Sequence, residues 1–432
     1  MLRALVICFL YSKVSSMKNL VLILTIFTLV GCKDKYDDWS AAQRTALADA
    51  QAYVASSPYA EVLNKCINAQ KSDEYCRLSE LPLIGMKTDN PSVADIMARV
   101  VVSQPWMGER FQALLESYPP EILLLFRAVT AIVIDDDIRP SFYSVGSGAI
   151  YLDANNFWLT AAEAADVNPA PDFRSGYGQD LNFRAPWRYV SNNALAYDYQ
   201  DLSDPQPRDL SDIRLLVASL LLHELAHAND TFMADTYTLL DPKHRPWQAA
   251  LYDEQSSVSA ELYADSPLSS ELMFNLAYVL YYGFYANDTQ KALSAADVAT
   301  EFDADAASDP YAYAAVEEDV AMLFEEAMMK YLFDADRDLA FTSAPGADNS
   351  CADYIVAWGE RNRYAEVQVL PRAQLVLQAM LPSVDFDNFI ATSPTPQALA
   401  NGGSWCDTLD PNATQTKPNS GAFKHPAYPF YR

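Results

Sequence analysis

Histidine and positive charge are both scarce in this sequence. Its four histidines are His223, His227, His244 and His425, and 30 lysines and arginines stand against 57 aspartates and glutamates. A net charge of −27 repels phosphate backbones and anionic lipid head groups, which excludes nucleic acid as a partner. The excess acid fits solubility, a cationic substrate or a saline habitat, and it assigns no role by itself. The sequence has no glycine-rich phosphate loop, no G-x-S-x-G nucleophile motif and no internal repeat. Phosphate cradles, serine-hydrolase elbows and solenoids are therefore set aside. The apolar run at residues 20–30 is too short for a comfortable membrane span.

Two of the few histidines fall together, in His223-Glu224-Leu225-Ala226-His227, an H-E-x-x-H motif. On a helix, residues four apart share a face, so both imidazoles reach one metal ion. Glu224 follows the first histidine and reaches a metal-bound water as general base. The bland alternative is a pair of histidines at the end of a core helix. Ile213, Leu215, Leu216, Val217, Leu220, Leu221, Leu222 and Leu225 make this helix apolar nearly all round, which predicts burial. Buried imidazoles and a buried carboxylate are costly unless paired or ligated. Asp209, Ser211 and Asp212 are start signals, and Asn229-Asp230 a stop signal.

The N-terminus reads as a targeting segment: Met17-Lys18-Asn19, the apolar run, then Gly31-Cys32. Leu29-Val30-Gly31-Cys32 resembles the lipobox of bacterial lipoproteins, which implies cleavage before Cys32 and a lipid anchor on its sulfur. Removing residues 1–31, which carry Arg3, Lys13 and Lys18 and no acid, would take the charge from −27 to −30. Beyond Cys32 the chain keeps Cys66, Cys76, Cys351 and Cys406, an even count that suggests two disulfides in an exported protein. The expected pairs are Cys66–Cys76, a local clasp, and Cys351–Cys406, which would pin the C-terminal tail.

Along the chain, the sequence predicts an alanine-rich helix over 37–57 and a clasped helical turn over 61–77. A soft boundary falls near residue 90. Helices are expected over 92–101 and 106–117, and a helix passing into a strand over 121–134, where β-branched residues gather. A turn at Arg139-Pro140 leads to a second strand within 141–152, read as an edge strand near the site. Residues 161–208 show little regular pattern and read either as a binding loop over the cleft or as a packed surface loop. Residues 334–350 read as polar turns and 354–380 as two helices around Pro371. Arg361, Arg363 and Arg372 in that last stretch suit surface ion pairs better than a substrate carboxylate.

A catalytic zinc usually takes a third protein ligand. His244 sits in a proline-bounded loop, and positions 230 and 233 are Asp230 and Met233, so a third histidine is not expected. Two glutamates compete. Glu261, in Ala260-Glu261-Leu262-Tyr263-Ala264-Asp265, resembles the second helix of gluzincin peptidases, although Ser266-Pro267 ends a helix there. Glu318 lies on a stripe with Met322, Glu325 and Met329, which places Glu325 behind the site as an acceptor for an imidazole N–H. Its acidic neighbours Glu317 and Asp319 also suit a helix N-terminus. The order H-E-x-x-H, then Tyr311, then Glu318 at the start of an apolar helix resembles the lethal-factor type of zinc endopeptidase. That resemblance implies Glu318 as the third zinc ligand and Tyr311 as an aid to the oxyanion. It covers the two motif stretches only.

The expected fold class is α+β, mainly helical: a zincin-like metallopeptidase domain with a small mixed sheet. It would span residues 91–395, after a signal segment (1–31) and an N-terminal helical segment (32–90), with an irregular tail at 396–432. The expected function is zinc-dependent hydrolysis of peptide or protein substrates outside the cytoplasm, by a chain anchored to the cell-envelope membrane through Cys32. The alternative from another class is a non-catalytic surface lipoprotein with a structural or partner-binding metal site.

Overall fold

The computed structural model describes residues 46–69, 71–252, 257–346 and 350–409. Cys32 and the lipobox lie outside these residues. The chain is α+β, with two sheets set among helices. In the first sheet, β2 (Val100–Val102), β3 (Ile132–Asp135) and β5 (Ala149–Asp153) run parallel. β1 (Gln51–Ala52) and β4 (Phe142–Ser144) flank them antiparallel, giving the order β1-β2-β3-β5-β4. Ile132-Val133-Ile134 is buried on both faces, as a continuous β-branched run in a parallel strand should be. The strand within 141–152 is thus a hairpin, β4–β5, and β4 is the sheet edge.

The second sheet is antiparallel. β9 (Asp336–Ser343) is central, between β7 (Trp187–Ser191) and β10 (Val356–Arg361); β6 (Phe183–Arg184) also pairs with β9. β8 (Ala194–Leu195) and β11 (Gln397–Ala398) close the two edges.

Two long helices meet in the core. The motif helix, Leu210–Thr231, starts in a capping box in which Asp209 accepts from the Ser211 and Asp212 amides. It is buried on nearly every face, as its leucine-rich sequence requires. It runs past Asn229, whose amide donates to the carbonyls of Leu125 and Leu225. The second, Val316–Phe333, carries Glu317, Glu318 and Asp319 in its first turn and closes on Asp334 in the left-handed region. It packs along the motif helix more extensively than any other pair of elements.

Several expectations need correction. The helix expected over 37–57 gives, in its described part, a short 3-10 turn at Ala46–Asp49 and then β1, because pairing with β2 overrides alanine's helix propensity. The helix expected over 92–101 stops at Met97, and the Val100-Val101-Val102 run enters the sheet. Residues 334–350 contain β9, a buried strand. The first of the two helices expected over 354–380 is β10; the second, Leu370–Met380, has Pro371 in its first turn. The 161–208 stretch contains the strands β6 to β8.

Both expected disulfides are present, with Cα separations of 5.2 Å for Cys66–Cys76 and 5.5 Å for Cys351–Cys406. They point to an oxidising, extracytoplasmic compartment. Among the described residues no helix is long and apolar enough to cross a membrane.

Candidate metal centre

The register of the two long helices builds the site. His223 and His227 lie one turn apart on the motif helix, and Glu318 faces them from the first turn of its neighbour. Glu318 Oε2 lies 3.2 Å from His223 Nε2 and 3.3 Å from His227 Nε2. The three ligand atoms all lie within 4.8 Å of one another, and no other such His/Cys/Asp/Glu group occurs among the described residues.

This donor set fits a metal ion. Two imidazole nitrogens and one carboxylate oxygen are the ligand types zinc takes. Bonds of about 2.0–2.1 Å at a tetrahedral angle put neighbouring donors about 3.3 Å apart, which the two Glu318–imidazole distances match. Glu318 Oε2 is also buried without a well-directed hydrogen bond, although two imidazoles converge on it.

Behind His223, Nδ1 lies 3.2 Å from Glu325 Oε2. An N–H donated from Nδ1 to this carboxylate leaves Nε2 as the bare nitrogen on the metal side. Glu325 is fully buried and also accepts from the Tyr189 hydroxyl at 3.1 Å. Arg337 Nη1 stands 3.8 Å from its other oxygen. Arg337 donates to Asp309 as well, and Asp309 accepts from the Tyr311 amide at 2.7 Å. One buried guanidinium therefore ties the support of His223 to the turn that carries Tyr311.

The Tyr311 ring lies nearly parallel to that of His223, with centroids 6.2 Å apart, and is backed by Tyr281 at 4.7 Å. Burial, and after it the Glu318 carboxylate, push the Tyr311 hydroxyl well above its ordinary range, so it stays a proton donor. Burial opposes charge on both histidines, but the carboxylates outweigh it. His223 is pushed up to about 10 by Glu318 and Glu325, and His227 is raised chiefly by Glu318. Against its own burial, Glu318 is held well below the usual carboxylate range by the two imidazoles.

Glu224 is buried on the adjoining face of the motif helix. It lines a cavity of about 160 Å³, together with Asp153, Asn155, Asp172, Tyr199 and Leu220 among others. Asn168, Asp172, Ser175, Tyr199 and Gln200 come from the 161–208 stretch, so part of that stretch walls the space beside Glu224.

The structure thus gathers His223, Glu224, His227, Glu318, Tyr311 and Glu325. It does not bring in the other candidates. Glu261 is exposed on the Val258–Asp265 helix, which ends just before Ser266-Pro267. His244 lies in its loop with its ring 6.0 Å from Tyr252. Arg361, Arg363 and Arg372 are buried, not surface, residues: Arg361 pairs with Asp338, Arg363 with Glu360 and Asp303, and Arg372 with Asp319. Sequence reasoning missed Tyr189, Asp309 and Arg337. Only Asp309-Pro310 beside Tyr311, a helix-start pattern, could have pointed to any of them.

No family model, curated protein or solved structure matches the chain.

Proposed function

We propose that this protein is an exported zinc-dependent metallopeptidase of the zincin type, a lipoprotein anchored through Cys32. The observation that carries the reading is the convergence of His223 Nε2, His227 Nε2 and Glu318 Oε2 within metal-ligand reach of one another, beside a buried glutamate and a cavity. The three atoms would hold the ion, and Glu325 would orient His223. When bound, zinc supplies Lewis acidity that lets a water lose its proton near neutral pH.

The remaining chemistry belongs to side chains of this chain. Glu224 takes the proton of the attacking water and passes it to the leaving amine. Tyr311 keeps its hydroxyl proton and donates a hydrogen bond to the oxygen that gains charge as the carbonyl becomes tetrahedral. The edge strand β4 packs on the motif helix and offers backbone groups to an extended substrate strand.

The test is digestion of a peptide library by the zinc-loaded chain and by Glu224→Gln, read by mass spectrometry beside metal content. The variant should keep its metal and lose hydrolysis by about 10²–10⁴-fold. Unchanged hydrolysis in Glu224→Gln would remove the proposed base. No hydrolysis by the zinc-loaded parent would leave a metal site without peptidase activity.

A further inference from the structure

The cavity beside Glu224 has a chemical polarity of its own. Leu216, Leu220 and Glu224 line it at steps of four along one face of the motif helix, a run of about 12 Å. Pro140, Pro169 and Pro171 add apolar surface. At about 160 Å³, the space compares with the roughly 150 Å³ void that takes up a benzene ring, so it admits one long side chain.

Most charged groups on its walls are already engaged. Arg139 donates to Asp137 at 2.6 Å and to the Asn168 carbonyl at 2.7 Å. The Asp172 carboxylate is held by Arg174 at 2.9 Å. Arg208 donates to the Trp158 and Asn155 carbonyls and lies 3.7 Å over the Trp158 ring. Asp153 differs. Among the described residues its carboxylate accepts one hydrogen bond, from the Asn155 amide at 2.8 Å, and has no ion pair. Burial pushes it up to about 7, even though Arg139 acts in the opposite direction. A carboxylate in this state gains from a cation brought within reach.

We propose that this cavity is a subsite for a lysine-type side chain of the substrate, its aliphatic stem lying along Leu216 and Leu220 and its ammonium reaching the Asp153 carboxylate. Long cationic side chains bury their stems against apolar surface and place the charge at a polar end, and the cavity supplies both. The assignment rests on the peptidase reading in one respect, that Glu224 faces a substrate. The acidic surface of the chain attracts the same class of ligand.

The experiment measures binding, which needs no turnover. The full chain, kept in chelator so that nothing is cleaved, is titrated calorimetrically with N-acetyl-Ala-Lys-Ala-amide and with its norleucine analogue. The lysine peptide should bind about tenfold or more tightly than the norleucine peptide. Asp153→Asn, which keeps the acceptor for the Asn155 amide, should abolish the difference, and the exposed-site control Glu61→Gln should retain it. Equal affinities in the parent, or a preference that survives in Asp153→Asn, would overturn the proposal, and the parent comparison holds even if the variant misfolds. Selective binding with no hydrolysis of either peptide by the zinc-loaded chain would keep the subsite and remove the peptidase reading. Hydrolysis without lysine preference in binding would do the reverse.

Discussion

Glu325→Gln tests the site from behind. The side chain keeps its volume, so the fully buried position is neither emptied nor overpacked. The negative charge that faces His223 Nδ1 at 3.2 Å is what goes. The amide oxygen can accept from His223 or from Tyr189, not from both with the former geometry, and Arg337 is left with Asp309 as its nearest carboxylate. Loss of such an outer carboxylate weakens metal affinity by about 10–100-fold, or about 1.4–2.7 kcal/mol. Glu325→Ala is the poorer probe, since it also empties the buried position and takes this acceptor from the Tyr189 hydroxyl, at a cost of about 1–3 kcal/mol of stability that confounds the reading. The assay is competition for zinc against a chromophoric chelator at fixed pH, with circular dichroism to confirm the fold. A folded Glu325→Gln chain that binds zinc within about twofold of the parent would refute the claim that this carboxylate orients and polarises the ligand.

Glu318→Ala should abolish stoichiometric zinc binding in metal analysis, while Glu261→Ala should bind as the parent does; the opposite pattern would move the third ligand to Glu261. In the metal-free chain His223 holds its proton up to about pH 10, whereas an unfolded imidazole titrates near 6.5. That contribution is complete below about pH 6.5 and is lost as pH rises toward 10, so thermal stability in chelator should fall across this window, less steeply in Glu325→Gln. Zinc uptake at pH 7.5 should release protons, measured as a dependence of binding heat on the buffer's ionisation enthalpy; heats independent of buffer would contradict a protonated site. By loop length, separations of 10 and 55 residues make the disulfides worth about 3 and about 4 kcal/mol. Cys351→Ser should therefore lower the urea midpoint more than Cys66→Ser.

The legible part of the site was the part set by helical periodicity. His223 and His227 share a face because they are four apart. Glu318 and Glu325 share a stripe because they are seven apart, so one helix could be expected to place a ligand and its support together. The β-branched run Ile132-Val133-Ile134 was legible as a strand, whereas Val100-Val101, equally β-branched, was read as the end of a helix. Sheet positions were illegible where a short strand exists only by pairing, as at Gln51-Ala52 against Val101-Val102.

The largest misreading has a specific cause. Asp336-Arg337-Asp338 looks like a solvated turn, because three consecutive charges rarely sit inside a protein. In the fold, β9 alternates sides through the core. Arg337 turns toward Glu325 and Asp309, and Asp338 toward Arg188 and Arg361. Arg337 and Asp338 are buried because their partners, on other elements, are buried with them, while Asp336 at the strand end is only partly covered and pairs with Lys330. Periodicity within one segment carries no information about such pairing. Yet the pairing decides whether Glu325 remains a carboxylate behind His223 and whether Asp309 holds the Tyr311 turn. Spacing along helices offered His223, His227 and Glu318 as ligands, and the resemblance to the lethal-factor type singled out Glu318 and Tyr311; the charges that hold them in place follow from contacts between elements.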